Sequence, residues 1–171
     1  PMADSPYAGV RVLDFTGGVA GPMGCGLLAQ FGADVVKVEP PAGDRMAAHP
    51  GYLAWNCNKR RLVLDLETPG GLAAARALLA EADVAVFDAA PRGLERLGLD
   101  GETLTRDHPR LVHLWAPMFG TTGRWSTVPP AESLMQAVSG VAWAQSSWED
   151  VPVHLVTPQV AYGHAQAIAA A

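Results

Sequence analysis

The chain has 171 residues, of which 49% are hydrophobic and 17% charged, enough for one well-packed domain, marginal for two, and unlike a disordered segment. A formal net charge of −5 argues against nucleic-acid binding, which needs a surplus of Lys and Arg to neutralise phosphates. No apolar run reaches the roughly 18–20 residues of a membrane span, and residues 1–8 lack a basic stretch leading into an apolar one, so the expected location is cytoplasmic, with no membrane partner.

Residues 10–15 (VRVLDF) alternate and are rich in β-branched side chains, which predicts a strand. A glycine-rich turn follows at residues 16–21, Pro22 suits a first helical position, and residues 23–31 carry a helical apolar stripe that Gly32 ends. Residues 35–39 (VVKVE) form the next strand, completing a βαβ unit that closes right-handed onto a parallel sheet. After a long loop over residues 40–58, a short strand is expected at 62–66, an Ala/Leu helix at 69–81 and a buried strand at 84–87. A short helix begins at 94–97, and residues 111–115 form a further strand. Strands alternating with helices predict an α/β, Rossmann-like domain with a mostly parallel sheet and flanking helices. Residues 120–130 read as a loop and 131–139 as a helix. A last Ala-rich helix opens near residue 160 and runs to Ala171 without a Gly, Asn or polar cap, so residues 1–171 read as a single domain truncated within that helix.

The turn Gly17-Gly18-Val19-Ala20-Gly21 stands where a dinucleotide-binding domain puts its phosphate loop, and Glu39 ends the second strand, where such domains place a ribose-binding acid. This leaves an NAD-binding oxidoreductase domain as an alternative. The fingerprint GxGxxG is missing from the turn, however, and Gly24-Cys25-Gly26-Leu27-Leu28-Ala29 matches GxGxxA only inside the helix. The plainer reading is a tight connection with close helix–sheet packing. Asn56 and Asn58 with Lys59-Arg60-Arg61 place two amides and three cations before a strand. That set suits an anionic ligand and equally a solvated basic turn.

Cys25 and Cys57 belong to no CxxC, and no Cys/His group has zinc-site spacing, so no metal site is expected and two free thiols are favoured over a disulfide. The five histidines lie near no nucleophile motif. His113 and His164 read as structural residues, His113 with its polar atoms satisfied, and the tryptophans as core or interface.

Taken in order, several segments resemble the family III CoA transferases, which include formyl-CoA transferase, carnitine CoA-transferase and α-methylacyl-CoA racemase. They are GVRVLDFT at 9–16, Gly21-Pro22, LAQFGADVVKVEPP at 28–41, Gly43-Asp44, NCNKR at 56–60, LDL at 64–66, ADV at 82–84, RLGLD at 96–100, Phe119-Gly120 and QAVSG at 136–140. The resemblance implies a CoA-binding Rossmann-like domain, a second smaller domain further along and an interlaced homodimer. It also implies coenzyme A or an acyl-CoA as substrate, with no metal. The groove would be lined by Gly18 and Val19, by Pro40 to Arg45, by Leu64 to Glu67, by Asp88, Ala89 and Ala90, and by Arg96.

Family chemistry uses an aspartate. Its carboxylate attacks an acyl-CoA thioester to give a mixed anhydride, CoA thiolate converts this to an aspartyl-CoA thioester, and CoA passes to the acceptor acid. In the racemase branch it moves a proton at the carbon α to the thioester. The family pattern places this Asp four residues before a glycine; counting back from Gly163 gives Gln159, and residues 151–171 contain no Asp or Glu. Further departures are Asp88-Ala89 where the family has Asn-Phe, Gly43-Asp44-Arg45 where it has GD-x-x-R, and Gly123-Arg124 where it has GP. These point to a pseudoenzyme, either a fragment or non-catalytic half that pairs with a second family domain, or a structural dimerisation domain that binds no CoA.

Overall fold

The computed structural model describes residues 5–145 and 151–171. Five strands, β1 (Arg11–Phe15), β2 (Asp34–Glu39), β3 (Arg60–Val63), β4 (Val84–Phe87) and β5 (Val112–Trp115), form one sheet in the order β3-β2-β1-β4-β5. Every pair is parallel: Leu13 stands opposite Val36 and Ala85, Val38 opposite Leu62, and Val86 opposite Leu114. The chain winds outward from β1 to β3 and returns to the other side of β1 for β4 and β5, so the switch point lies between β1 and β4.

Helices cover both faces. α1 (Ala20–Gln30) joins β1 to β2, α2 (Tyr52–Trp55) sits in the next connection, and α3 (Pro69–Leu79) joins β3 to β4. α4 (Pro91–Leu97) and α5 (Gly101–Asp107) join β4 to β5, and α6 (Glu132–Val138), α7 (Val141–Ala144) and α8 (Gln159–Ala170) follow. Strand alternation divides the core in two. Val12, Val35 and Val86 pack with Cys25 and Ala29 of α1 and Ile168 of α8. Leu13, Ala85 and Phe87 face the other way, against Leu79 of α3, Leu94 of α4, Leu99, and Leu104 of α5.

The glycines of the helical GxGxxA match serve this packing. A Cβ on Gly24 would stand 2.7 Å from Ile168 Cγ2 and 2.9 Å from the Ala165 carbonyl oxygen, so glycine is what lets α1 lie directly on α8. α1 starts two residues before Pro22, which is tolerated because an N–H in the first helical turn has no intrahelical hydrogen bond to lose. β3 begins and ends earlier than its apolar residues suggest. Leu64 N–H still donates to the Glu39 carbonyl at 2.9 Å, but Asp65 Oδ1 then takes the Glu67 N–H at 3.0 Å and turns the chain. Three short helices were not foreseen. Of these α5 is fixed by its cap, Asp100 Oδ1 accepting the Thr103 N–H at 3.0 Å. Cys25 and Cys57 are free thiols, and among the described residues no helix is long and apolar enough to cross a membrane.

Candidate functional site

The carboxyl end of β1 runs into the turn Gly17–Gly21, beside the carboxyl end of β4 and its next residue, Asp88. Open parallel sheets bind ligands in the crevice at such a switch point. Gly18 has a φ of +77°, a conformation that favours glycine, and it lets the turn bend back to open α1.

Beneath the turn lies a buried ionic cluster. Lys59 Nζ donates to Asp14 Oδ2 (2.8 Å), the Pro22 carbonyl (2.5 Å) and Asn56 Oδ1 (3.1 Å), which uses all three of its protons. Lys37 Nζ donates to the Thr16 carbonyl and lies 3.3 Å from Asp44 Oδ2 and 3.9 Å from Asp14 Oδ1. Asp14 also accepts the Thr16 hydroxyl and backbone N–H. Burial alone would raise the Asp14 carboxyl, but the Lys59 and Lys37 ammoniums outweigh it and hold the group below its usual value.

Of the two readings open for Lys59-Arg60-Arg61, an anion site or a solvated basic turn, neither describes Lys59, and all three cations take partners within the protein. Lys59 is spent inside the core, Arg60 forms a bidentate pair with Asp34 (2.9 and 2.6 Å), and Arg61 Nε donates to Glu39 Oε2 at 2.6 Å. The two arginines belong to β3 itself, so each meets a carboxylate of neighbouring β2. Glu39 is likewise engaged: it is buried and takes the Tyr52 hydroxyl on Oε1, and burial followed by this contact pushes the phenol up to about 12.

Two adjoining cavities lie above the turn. One, of about 280 Å³, is bounded by Gly17, Gly18, Arg45, Asp88, Glu132 and His164 among others; the second, of about 250 Å³, shares Gly17 and Arg45 and reaches Glu39 and Pro40. Asp88 Oδ2 accepts the Gly17 N–H at 2.9 Å and lies 3.8 Å from Arg45 Nη2. Burial pushes the Asp88 carboxyl up to about 6, against the opposing pull of the Gly17 N–H and Arg45.

Of the residues singled out from the sequence, Gly18, Val19, Pro40, Arg45 and Asp88 gather around these cavities. Leu64, Glu67, Ala89, Ala90, Arg96 and Gln159 line neither cavity. Ala89 offers its carbonyl to Trp115 Nε1 at 2.9 Å, Ala90 caps α4, and Leu64 continues the β3 ladder. Glu67 and Arg96 bind each other through two hydrogen bonds of 2.7 and 2.6 Å, which joins the start of α3 to α4. Gln159 is the first residue of α8; it is exposed and does not line either cavity.

Two cavity residues were not expected there: Glu132 was not singled out from the sequence, and His164 read as a structural residue. His164 projects from α8 into the larger cavity, and burial lowers its pKa. Glu132 binds Gln136 Nε2 and the Val160 N–H through Oε1, both at 3.1 Å, while its Oε2 is buried without a hydrogen-bond partner. The buried Gln136 in turn accepts the Leu155 N–H at 2.8 Å and contacts His154 Nδ1 at 2.9 Å, fixing the approach to α8. The four-residue spacing of Glu132 and Gln136 was the available signal, since it puts both on one helix face. His113 departs from expectation: its ring packs against Phe87 at 5.3 Å, but Nε2 is buried without a hydrogen-bond partner. Trp55 is core, Trp143 is 71% exposed, and Trp148 lies outside the described residues. No group of three or more His, Cys, Asp or Glu suited to a metal occurs among the described residues.

Comparison with known proteins places this geometry. The model of CoA-transferase family III matches residues 7–171. The chain is 37% identical to succinyl-CoA:(R)-benzylsuccinate CoA-transferase subunit BbsE of Thauera aromatica, covering 96% of this chain and 43% of that protein. It is 35% identical to the succinyl-CoA–L-malate CoA-transferase beta subunit of Chloroflexus aurantiacus, covering 86% and 39%. Among solved structures, Rv3272 of Mycobacterium tuberculosis superposes with a TM-score of 0.90 at 29% identity over 97% of this chain and 47% of its own. The chain thus spans about two fifths of the length of these curated relatives. With the matched region running across the sheet, the glycine turn and α8, the chain belongs to CoA-transferase family III.

Proposed function

We propose that this chain is an acyl-CoA-binding, non-catalytic half of a cytoplasmic family III CoA-transferase, paired with a second family domain in an interlaced dimer. The observation that carries the reading is Gln159. It opens α8 four residues ahead of Gly163, where the family pattern has its aspartate. A neutral amide lacks the carboxylate oxygen that would attack a thioester, and near neutral pH it cannot serve as a general base. The groove is assigned to Gly18, Val19, Pro40, Arg45, Leu64, Glu67, Asp88, Ala89, Ala90 and Arg96, with the switch-point cavities at its inner end.

Two relatives are described as subunits, which supports a partner that supplies the carboxylate. Calorimetric titration of the protein with CoA tests the binding half of the proposal: sub-millimolar affinity is expected, and millimolar or weaker binding sinks it. Intact-mass analysis after exposure to an acyl-CoA tests the other half, with no covalent adduct expected. Adduct formation on the unmodified protein would show that it carries its own nucleophile.

A structural dimerisation domain that binds no CoA is the second reading. It is favoured by the pairing of Arg60, Arg61 and Arg96 with the protein's own carboxylates, which leaves these cations committed before any ligand arrives. An NAD-binding domain stands third, because Glu39 is buried and already holds Tyr52 and Arg61.

A further inference from the structure

The Gly17 N–H sits at the switch point, at the end of β1 and ahead of α1, where an external anion would dock. In this chain its partner is internal, Asp88 Oδ2 at 2.9 Å. Arg45 is drawn to the same carboxylate at 3.8 Å and lies over Gly18, its Nη2 only 2.7 Å from where a Cβ would stand. Asp88 therefore takes the N–H that would receive an anion and draws the guanidinium toward itself without a hydrogen bond. The surroundings give a second anion little further help. From β1, Asp14 lies below; from the β2 side, Lys37 is shared between Asp14 and Asp44, and Asp44 Oδ1 faces the Gly18 N–H at 3.4 Å. Across the cavity stand Glu132 of α6, whose Oε2 has no hydrogen-bond partner, and His164 of α8.

We infer that Asp88 couples ligand entry to protonation: an anionic group, phosphate or carboxylate, occupies the Gly17 turn as Asp88 takes up one proton from solvent. This rests on the reading of the groove as an acyl-CoA site and adds a regulation that the family resemblance does not carry. The free carboxyl titrates at about 6, and an incoming negative charge raises it further. Anion binding therefore weakens as pH rises through about 6, by close to tenfold per unit until the bound-state pKa is passed.

Calorimetry of the purified protein at pH 7, in buffers of unequal ionisation enthalpy, reads the proton directly. CoA and succinate are the two probes, one carrying phosphates and the other only carboxylates. Uptake of close to one proton with CoA, absent in Asp88→Asn, upholds the inference with CoA as the source of the anion. Uptake with succinate alone, absent in the same variant, upholds it with a carboxylate as the anion. The asparagine keeps an acceptor for the Gly17 N–H, and the wild-type measurement stands even if the variant folds poorly. Binding of CoA without proton uptake and with pH-independent affinity, with no uptake for succinate either, overturns the inference and leaves the CoA-site reading intact. Uptake that persists in Asp88→Asn also overturns it, because the proton then belongs to another group such as His164 or Glu132. If neither probe binds, both the inference and the CoA-site reading fall.

Discussion

Asp14 lies on β1 and Asp88 just past the end of its parallel neighbour β4, and the protein treats them in opposite ways. Asp14 is wholly enclosed and is met by two ammoniums, a hydroxyl and a backbone N–H, so it stays charged. Asp88 stands one residue past the end of β4, with one backbone N–H and a distant guanidinium, and its carboxyl is pushed up to about 6. The first arrangement is complete and resembles a structural core. The second is incomplete at a cavity edge, and groups of that kind mark places where a ligand changes the balance.

The sharpest way to break this contrast is to remove Lys59. Lys59→Met deletes three hydrogen bonds and leaves Asp14 enclosed with Thr16 as hydrogen-bond donor and Lys37, at 3.9 Å, as its remaining paired cation. Breaking a buried ion pair by removing one partner costs about 3–5 kcal/mol. Urea denaturation should show that loss, and a midpoint unchanged from wild type would show the cluster to be dispensable. The matching change above the turn should act in the opposite direction. A carboxyl whose folded pKa is raised costs stability only when ionised, so the cost is absent below about pH 4 and fully present above about pH 6. Asp88→Asn therefore matches wild type at pH 4 and exceeds it at pH 7.5 by on the order of 1–3 kcal/mol. Paired urea melts at the two pH values check this, and equal midpoints at pH 7.5 would contradict it.

The sheet was legible because apolar, β-branched runs alternate with glycine- and proline-bounded helices, and that pattern needs no tertiary information. The fate of charged residues was not legible in the same way. Lys59, Arg60 and Arg61 are consecutive in sequence, yet one is drawn into the core by Asp14 while the others reach two different carboxylates on β2. Only the parallel register of β3 on β2 decides those partners. Asp88 was noticed as a charge out of place, but its contact with Gly17 spans 71 residues and depends on the β1–β4 pairing. Glu132 was not singled out and His164 read only as structural, because each lies on a short or Ala-rich helix whose packing on neighbouring helices had to be known first.

The smallest expected effect concerns Glu67 and Arg96, two residues assigned to the groove that pair with each other at 2.6 and 2.7 Å. Both side chains are about 60% exposed (61% and 59%), so solvent screens their attraction. Glu67→Gln should leave the urea midpoint within error of wild type. It should nevertheless free the Arg96 guanidinium, the group best suited of the pair to hold a phosphate. If Arg96 belongs to the CoA groove, Glu67→Gln tightens CoA binding, and the gain disappears when Arg96→Ala is added. An affinity for CoA that ignores both changes would remove this pair from the groove and confine the site to the switch point, where Asp88 and Arg45 face the cavity.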